Sequence, residues 1–243
     1  MRNPIMRSPI MPNRILPQLA GLALLVLQLA PGISAAAGGV TMIDPGRADK
    51  PGFMVVIEQP GIYRLAGNLK VPDANTTAIE INADNVTLDL GGHVIQGPTR
   101  CQQLPAPCWP SGVGNGVHAV SRNGIVIRNG IIQGMGNYGI YLETNSVSLD
   151  HIVVNRNGHG GAVFFGGSIS NSVAEGNGGD GIFGVDLKVR SNVMRGNQML
   201  GLAAFGRSSF SNNQFKGNNN NAAQTNLKSG AADRNVCNTA ACQ

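Results

Sequence analysis

Few side chains in this chain of 243 residues have both the type and the setting for chemistry. His118, Glu143 and Asp186 are the acid–base candidates. Glu143 and Asp186 fall two repeat units apart, about 9.6 Å if each unit adds one strand spacing. Inverting hydrolysis of a sugar linkage needs two carboxyls about 6.5–9.5 Å apart. Two solvated turn acids account for the same residues more simply. The other acids, among them Glu80, Asp150, Glu175 and Asp180, are scattered along the chain. A Ca²⁺ site needs six to eight converging oxygens, so no metal and no cofactor is expected. The four cysteines form two close pairs, with no His at ligand spacing. Disulfides Cys101–Cys108 and Cys237–Cys242 are therefore expected in preference to a thiolate metal centre. Trp109, Tyr141, Phe165 and Phe183 offer a different chemistry, since an aromatic face can pack on the C–H face of a sugar ring.

A repeat must position these groups. Val173-Ala-Glu-Gly-Asn177, Val193-Met-Arg-Gly-Asn197 and Gln214-Phe-Lys-Gly-Asn218 are variants of one unit, and a less regular copy ends at Asn157. The column Asn157, Asn177, Asn197, Asn218 has spacings of 20, 20 and 21 residues, as does Leu149, Ile169, Val189, Phe210. Gly161, Gly181 and Gly201 follow the first three Asn residues at a fixed offset. Fixed-period self-similarity of this length marks a solenoid. Each unit holds two or three short alternating apolar stretches broken by Gly, Asn or Ser, which excludes helical repeats. Three short strands per turn of about 20 residues describe one coil of a parallel β-helix. Stacked Asn side chains would then bond from coil to coil, and Gly would supply the φ > 0 that tight turns demand.

Composition agrees with this all-β, single-domain solenoid. Charged residues are 13%, aromatics 5% and Gly 34 residues, with 42% apolar content, enough for a core and suited to many turns. Six to seven coils are expected. Residues 38–75 form an N-terminal cap and first coil, and 76–218 the repeats, interrupted by a loop insertion at 98–115. Residues 219–243 form a C-terminal cap or tail. Residues 1–37 have the features of an export signal: Arg2, Arg7 and Arg14, an apolar stretch from Leu16 to Leu29, and Ala35-Ala36-Ala37 as cleavage site. A secreted or periplasmic protein follows, with no membrane span after cleavage. Removing the signal leaves 15 Lys+Arg against 13 Asp+Glu. No basic cluster remains on any one segment, so nucleic acid is not expected as a partner.

The segments Pro60-Gly-Ile-Tyr-Arg-Leu and Ala83-Asp-Asn-Val-Thr-Leu-Asp-Leu-Gly-Gly-His, followed by the Gly-Asn-x3-Gly repeats, resemble bacterial right-handed parallel β-helix repeat proteins of the pectin-lyase-like superfamily. The resemblance covers roughly residues 53–218 and implies a right-handed coil. It does not imply one activity, because the superfamily includes lyases, hydrolases, epimerases, tailspikes and adhesins. Gly158-His159-Gly160 is similar to a tripeptide of polygalacturonase-like glycosidases, but their acidic motifs and their Arg-Ile-Lys are absent. No lyase, hydrolase or epimerase signature is complete, which leaves enzymatic activity open.

Alternation within the first strand of successive coils sends Val117/Ala119, Ile140/Leu142, Ala162/Phe164 and Ile182/Gly184 inward. His118, Tyr141, Val163 and Phe183 then face outward, with Glu143, Phe165 and Phe205 beside them. The expected function is binding of a polysaccharide or cell-surface glycan on this face by Trp109, Tyr141, Phe165 and Phe183. A small polysaccharide lyase or hydrolase, and a structural or adhesin-like protein, are the alternatives. The tail or a second protomer in a homo-oligomer would equally explain the outward rings. The 98–115 loop is either one wall of a sugar groove or a lid over the solenoid edge.

Overall fold

The computed structural model describes residues 33–35, 39–46, 48–102, 107–228, 233–238 and 240–242. Nearly all of the expected export segment lies outside them. Its backbone at Ile33–Ala35 pairs antiparallel with Val40–Ile43.

Three columns of parallel strands build the domain. The first column runs through Phe53–Ile57, Thr77–Ile81, Val117–Asn123 and Ile140–Asn145. It continues through the leading halves of Ala162–Ser170 and Ile182–Arg190 and ends at Leu202–Phe205. The second column starts at Val40–Ile43 and Gly61–Leu65, and its last strand is Ser209–Ser211. The third runs from Leu69–Lys70 to Gln214–Lys216 and on to Val236–Cys237. Seven coils carry all three strands, and partial turns at both ends bring the total to about nine. The expected six to seven corresponds to the complete coils, and the partial turns at the two ends lie beyond that count.

Each coil turns three corners, and from the strand Val117–Asn123 to the strand Gln214–Lys216 each corner contains a left-handed residue. The first-to-second corner uses Asn85, Gly124, Ser146, Gly166, Asp186 and Gly206. The next uses Asn129, His151, Asn171, Ser191 and Asn212, and the third Gly134, Arg156, Gly176, Gly196 and Gly217. Gly and Asn dominate because φ > 0 costs other residues about 1–2 kcal/mol. The column Gly161, Gly181, Gly201 has a different reason for lacking a side chain. A Cβ on Gly181 would lie 2.6 Å from the Gly201 carbonyl oxygen and 2.7 Å from Asn197 Nδ2. These glycines make room for the Asn ladder beside them.

That ladder is continuous. Asn157 Nδ2 donates to Asn177 Oδ1 at 3.0 Å, Asn177 to Asn197 at 2.9 Å, and Asn197 to Asn218 at 2.8 Å. Each Oδ1 also accepts the backbone N–H of the Asn in the preceding coil, and Asn218 hands the chain on to Gln224 Oε1. All four Asn residues are fully buried. A second ladder, unforeseen from the sequence, runs Ser172, Asn192, Asn213, Asn235 through the corner before the third column. Between the ladders the core is mainly aliphatic, with Val117, Ile140, Ala162, Ile182 and Leu202 stacked in register and Phe164 and Phe215 fully buried.

Both expected disulfides form. Cys237–Cys242 staples the antiparallel turn that closes the third column. At the C-terminal end of the first column Thr225 bridges Leu202, and the Asn226 amide bonds both N–H and C=O of Ala204. The described part of the tail thus caps the end of the stack.

Candidate functional site

The outer face of the first column is built on the register Glu80–His118–Tyr141–Val163–Phe183–Ala203. Alternation directs these side chains away from the core while their neighbours at 119, 142, 164 and 184 are buried in it, although the small Val163 and Ala203 are also covered, at 5% and 4% exposure. Phe165 stands two residues further along its strand, in register with Val185 and Phe205. Tyr141, Phe165 and Phe183 therefore occupy two rows, and do not lie in one line.

Ring contacts divide the face into two clusters. His118 stacks on Tyr141 with centroids 5.6 Å apart, Tyr141 meets Tyr138 at 5.3 Å, and Tyr138 stacks on His159 at 4.8 Å. Further along the axis Phe183 meets Phe205 at 5.8 Å, and Phe205 is 49% exposed. Tyr138 and His159 belong to the turns leading into the first column, where strand alternation gives no guide. Their 21-residue separation was the available signal.

Carboxylates surround the first cluster. Glu80 Oε2 lies 2.7 Å from His118 Nδ1. The Tyr141 hydroxyl donates to Glu143 Oε1 at 2.6 Å, and this bond, together with burial, pushes the phenol up to about 12. Asp180 follows the turn glycines at 178 and 179. Burial raises its carboxyl above the usual value, against the opposing effect of the Leu200 N–H bond and of His159. Burial also raises Tyr138, with Asp180 adding to the effect.

The acid–base candidates are not brought together. His118 is engaged with Glu80, and Glu143 with Tyr141. Asp186 stands at a corner in register with Ser146 and Gly166, where its Oδ1 accepts the Arg207 backbone N–H at 2.7 Å. Glu143 and Asp186 thus belong to different ladders, because coils three and four carry extra residues after the strand, at the register shift between Glu143 and Asn145. Coil rise alone does not make them a pair.

Trp109 is 76% exposed in the 98–115 loop, where its backbone forms an antiparallel bridge with Arg100. Among the described residues it makes no ring contact with Tyr141, Phe165 or Phe183. Sγ of Cys101 and Cys108 lie 3.6 and 3.8 Å from the Asn157 carbonyl oxygen, so the disulfide rests on the end of the Asn ladder. Residues 112–116 join the stack itself: Gly114 N–H bonds Ala74 O, and Asn137 N–H bonds Gly114 O. On the third column's outer side lies a groove of about 800 Å³ containing Arg156, Arg195 and Lys216. Among the described residues no three His, Cys, Asp or Glu gather as metal ligands, and no helix is long and apolar enough to cross a membrane.

The columns, corners and ladders define a parallel β-solenoid with an all-β core. Residues 109–236, more than half of the chain, match the family model described as right handed beta helix region, and the chain belongs to that family. No curated protein matches it.

Proposed function

We propose that the chain is an exported β-helix protein that binds polysaccharide on the outer face of its first column, holding the glycan without cleaving it. The observation that carries this reading is the run of four rings in contact, His118, Tyr141, Tyr138 and His159, partly open to solvent and flanked by Glu80, Glu143 and Asp180. Ring faces supply apolar area for sugar C–H groups at low entropy cost, and neighbouring carboxylates and the tyrosine hydroxyl supply hydrogen bonds to sugar hydroxyls. Phe183 and Phe205 extend apolar surface further along the axis, the direction a linear polymer would take. Export is supported by Arg2, Arg7 and Arg14, the apolar stretch and the Ala35-Ala36-Ala37 site, together with two disulfides that require an oxidising compartment.

A hydrolytic reading has one observation in its favour, the raised Asp180 carboxyl beside His159, because perturbed acids cluster at catalytic sites. A glycan array combined with reducing-end and unsaturated-product assays on the retained glycans separates the readings. Retention without product is expected. Product formation would reassign Asp180 and His159 to catalysis, and a blank array would favour a structural or adhesin-like role.

A further inference from the structure

We propose that the groove on the outer face of the third column binds a linear polyanion, an acidic polysaccharide bearing sulfate or carboxylate groups. It uses side chains separate from the ring clusters and from different strands.

Register gathers the cations. Asn155, Glu175, Arg195 and Lys216 stand one above another in successive coils. Arg195 and Lys216 are therefore about one strand spacing apart, roughly 4.8 Å, and Arg156 follows Asn155 two coils earlier. The three lie 39 and 21 residues apart in sequence, so they form a basic patch that no single segment shows. Arg195 Nη2 bonds Glu175 Oε2 at 2.9 Å, which accounts for the only acid among the described residues lining this groove. Among the described residues the Arg156 and Lys216 side chains have no carboxylate partner. A second groove of about 420 Å³ shares Cys101 and Arg156 with the first and adds Arg100.

The floor is open for a chain to lie along the axis. Gly176, Gly196 and Gly217 occupy the left-handed corner that Arg156 fills one coil earlier, and a Cβ on Gly196 would meet nothing within 4 Å. Cys101 and Gln102 of the disulfide loop line the groove on one side. The cations thus follow one direction, beside a bare strip of backbone and the amides of Gln96 and Gln133 in the adjoining groove. Repeating negative groups on a polymer fit that arrangement. Nucleic acid fits it less well, because among the described residues no aromatic side chain lines either groove to stack a base.

The test measures binding of the full chain to dextran sulfate, with unmodified dextran, inorganic sulfate and a single-stranded DNA oligonucleotide as comparisons. Dextran sulfate should bind more tightly than dextran and weaken as salt rises. Arg195→Ala with Lys216→Ala should weaken it at least about tenfold. Lys216→Glu should do the same, and its exposed side chain lets the melting curve stay unchanged. Tyr141→Ala with Phe183→Ala should leave dextran sulfate binding intact, so failure here and failure of ring-face binding are separable. Four results would each overturn the proposal: equal binding of the cation variants, no preference for dextran sulfate over dextran, full competition by inorganic sulfate at equal sulfate concentration, or tighter binding of the oligonucleotide.

Discussion

The hydrogen bond from Tyr141 to Glu143 governs when that phenol ionises, and it gives the ring cluster a spectroscopic handle. Tyr141 should titrate at about 12, against an ordinary value of 10.0. Ultraviolet titration should show this late phenol vanish in Tyr141→Phe and move toward 10.0 in Glu143→Gln. The native state holds the Tyr141 proton more tightly than the unfolded chain does. Its stabilising contribution is therefore complete below pH 10 and is lost as pH rises from there through about 12. An unshifted phenol in the native protein would contradict the Tyr141–Glu143 bond. Asn177 is the residue-scale test of the scaffold. Its removal takes the acceptor from the Asn157 backbone N–H and from one of the two bonds of the Asn157 amide, and the amide donor from the Val154 carbonyl, all buried. With about 1–3 kcal/mol for each unsatisfied group, Asn177→Ala should lower stability by roughly 3 kcal/mol, read from denaturant melts. Asn177→Asp should also destabilise, since a carboxylate accepts but cannot donate up the ladder.

At the scale of strands and corners, two kinds of glycine should respond differently to alanine. Gly181→Ala forces a methyl against the Gly201 carbonyl and the Asn197 amide, so strand and ladder must both move. Gly196→Ala has open space and carries only the cost of φ +59, about 1–2 kcal/mol. Thermal melts should rank Gly181→Ala well below Gly196→Ala, and the reverse order would mean that the corner, and not the ladder, limits packing. The same elements show what the sequence makes legible. Asn157, Asn177, Asn197 and Asn218 sit in near-identical pentapeptides, so their column is plain, and period-2 alternation assigns the inward pairs from Val117 to Gly184 correctly. The second ladder is obscured because it begins with Ser172 and because Asn212 and Asn213 compete for the same column; backbone register assigns one to the corner and the other to the ladder. Phe165 was legible both as outward-facing and as sharing a row with Phe205, because the same alternation places each one residue after the last inward position of its strand. Tyr138, His159 and the cationic groove lie in turns or in separate coils, where local pattern carries no information and only stacking unites them.

Across the whole solenoid, the interactions that hold the coils together lie inside, and the two surfaces proposed to bind ligands lie outside. Inside, two Asn ladders and an aliphatic core tie each coil to its neighbours, so each coil depends on those above and below it. Outside, the first column presents rings and the third presents cations. The C-terminal end is closed by Thr225 and Asn226 and by the Cys237–Cys242 turn. Because the described tail residues stack on the C-terminal end, Phe205 remains 49% exposed, and ring-face substitutions should leave the core untouched. The most direct measurement is glycan binding by Tyr141→Ala with Phe183→Ala, run beside a thermal melt and a mass determination. Loss of glycan binding with an unchanged melting temperature and unchanged mass is the predicted result. A double variant that keeps full binding, or that instead loses stability or changes oligomeric mass, would contradict ring-face binding and make the rings packing surface.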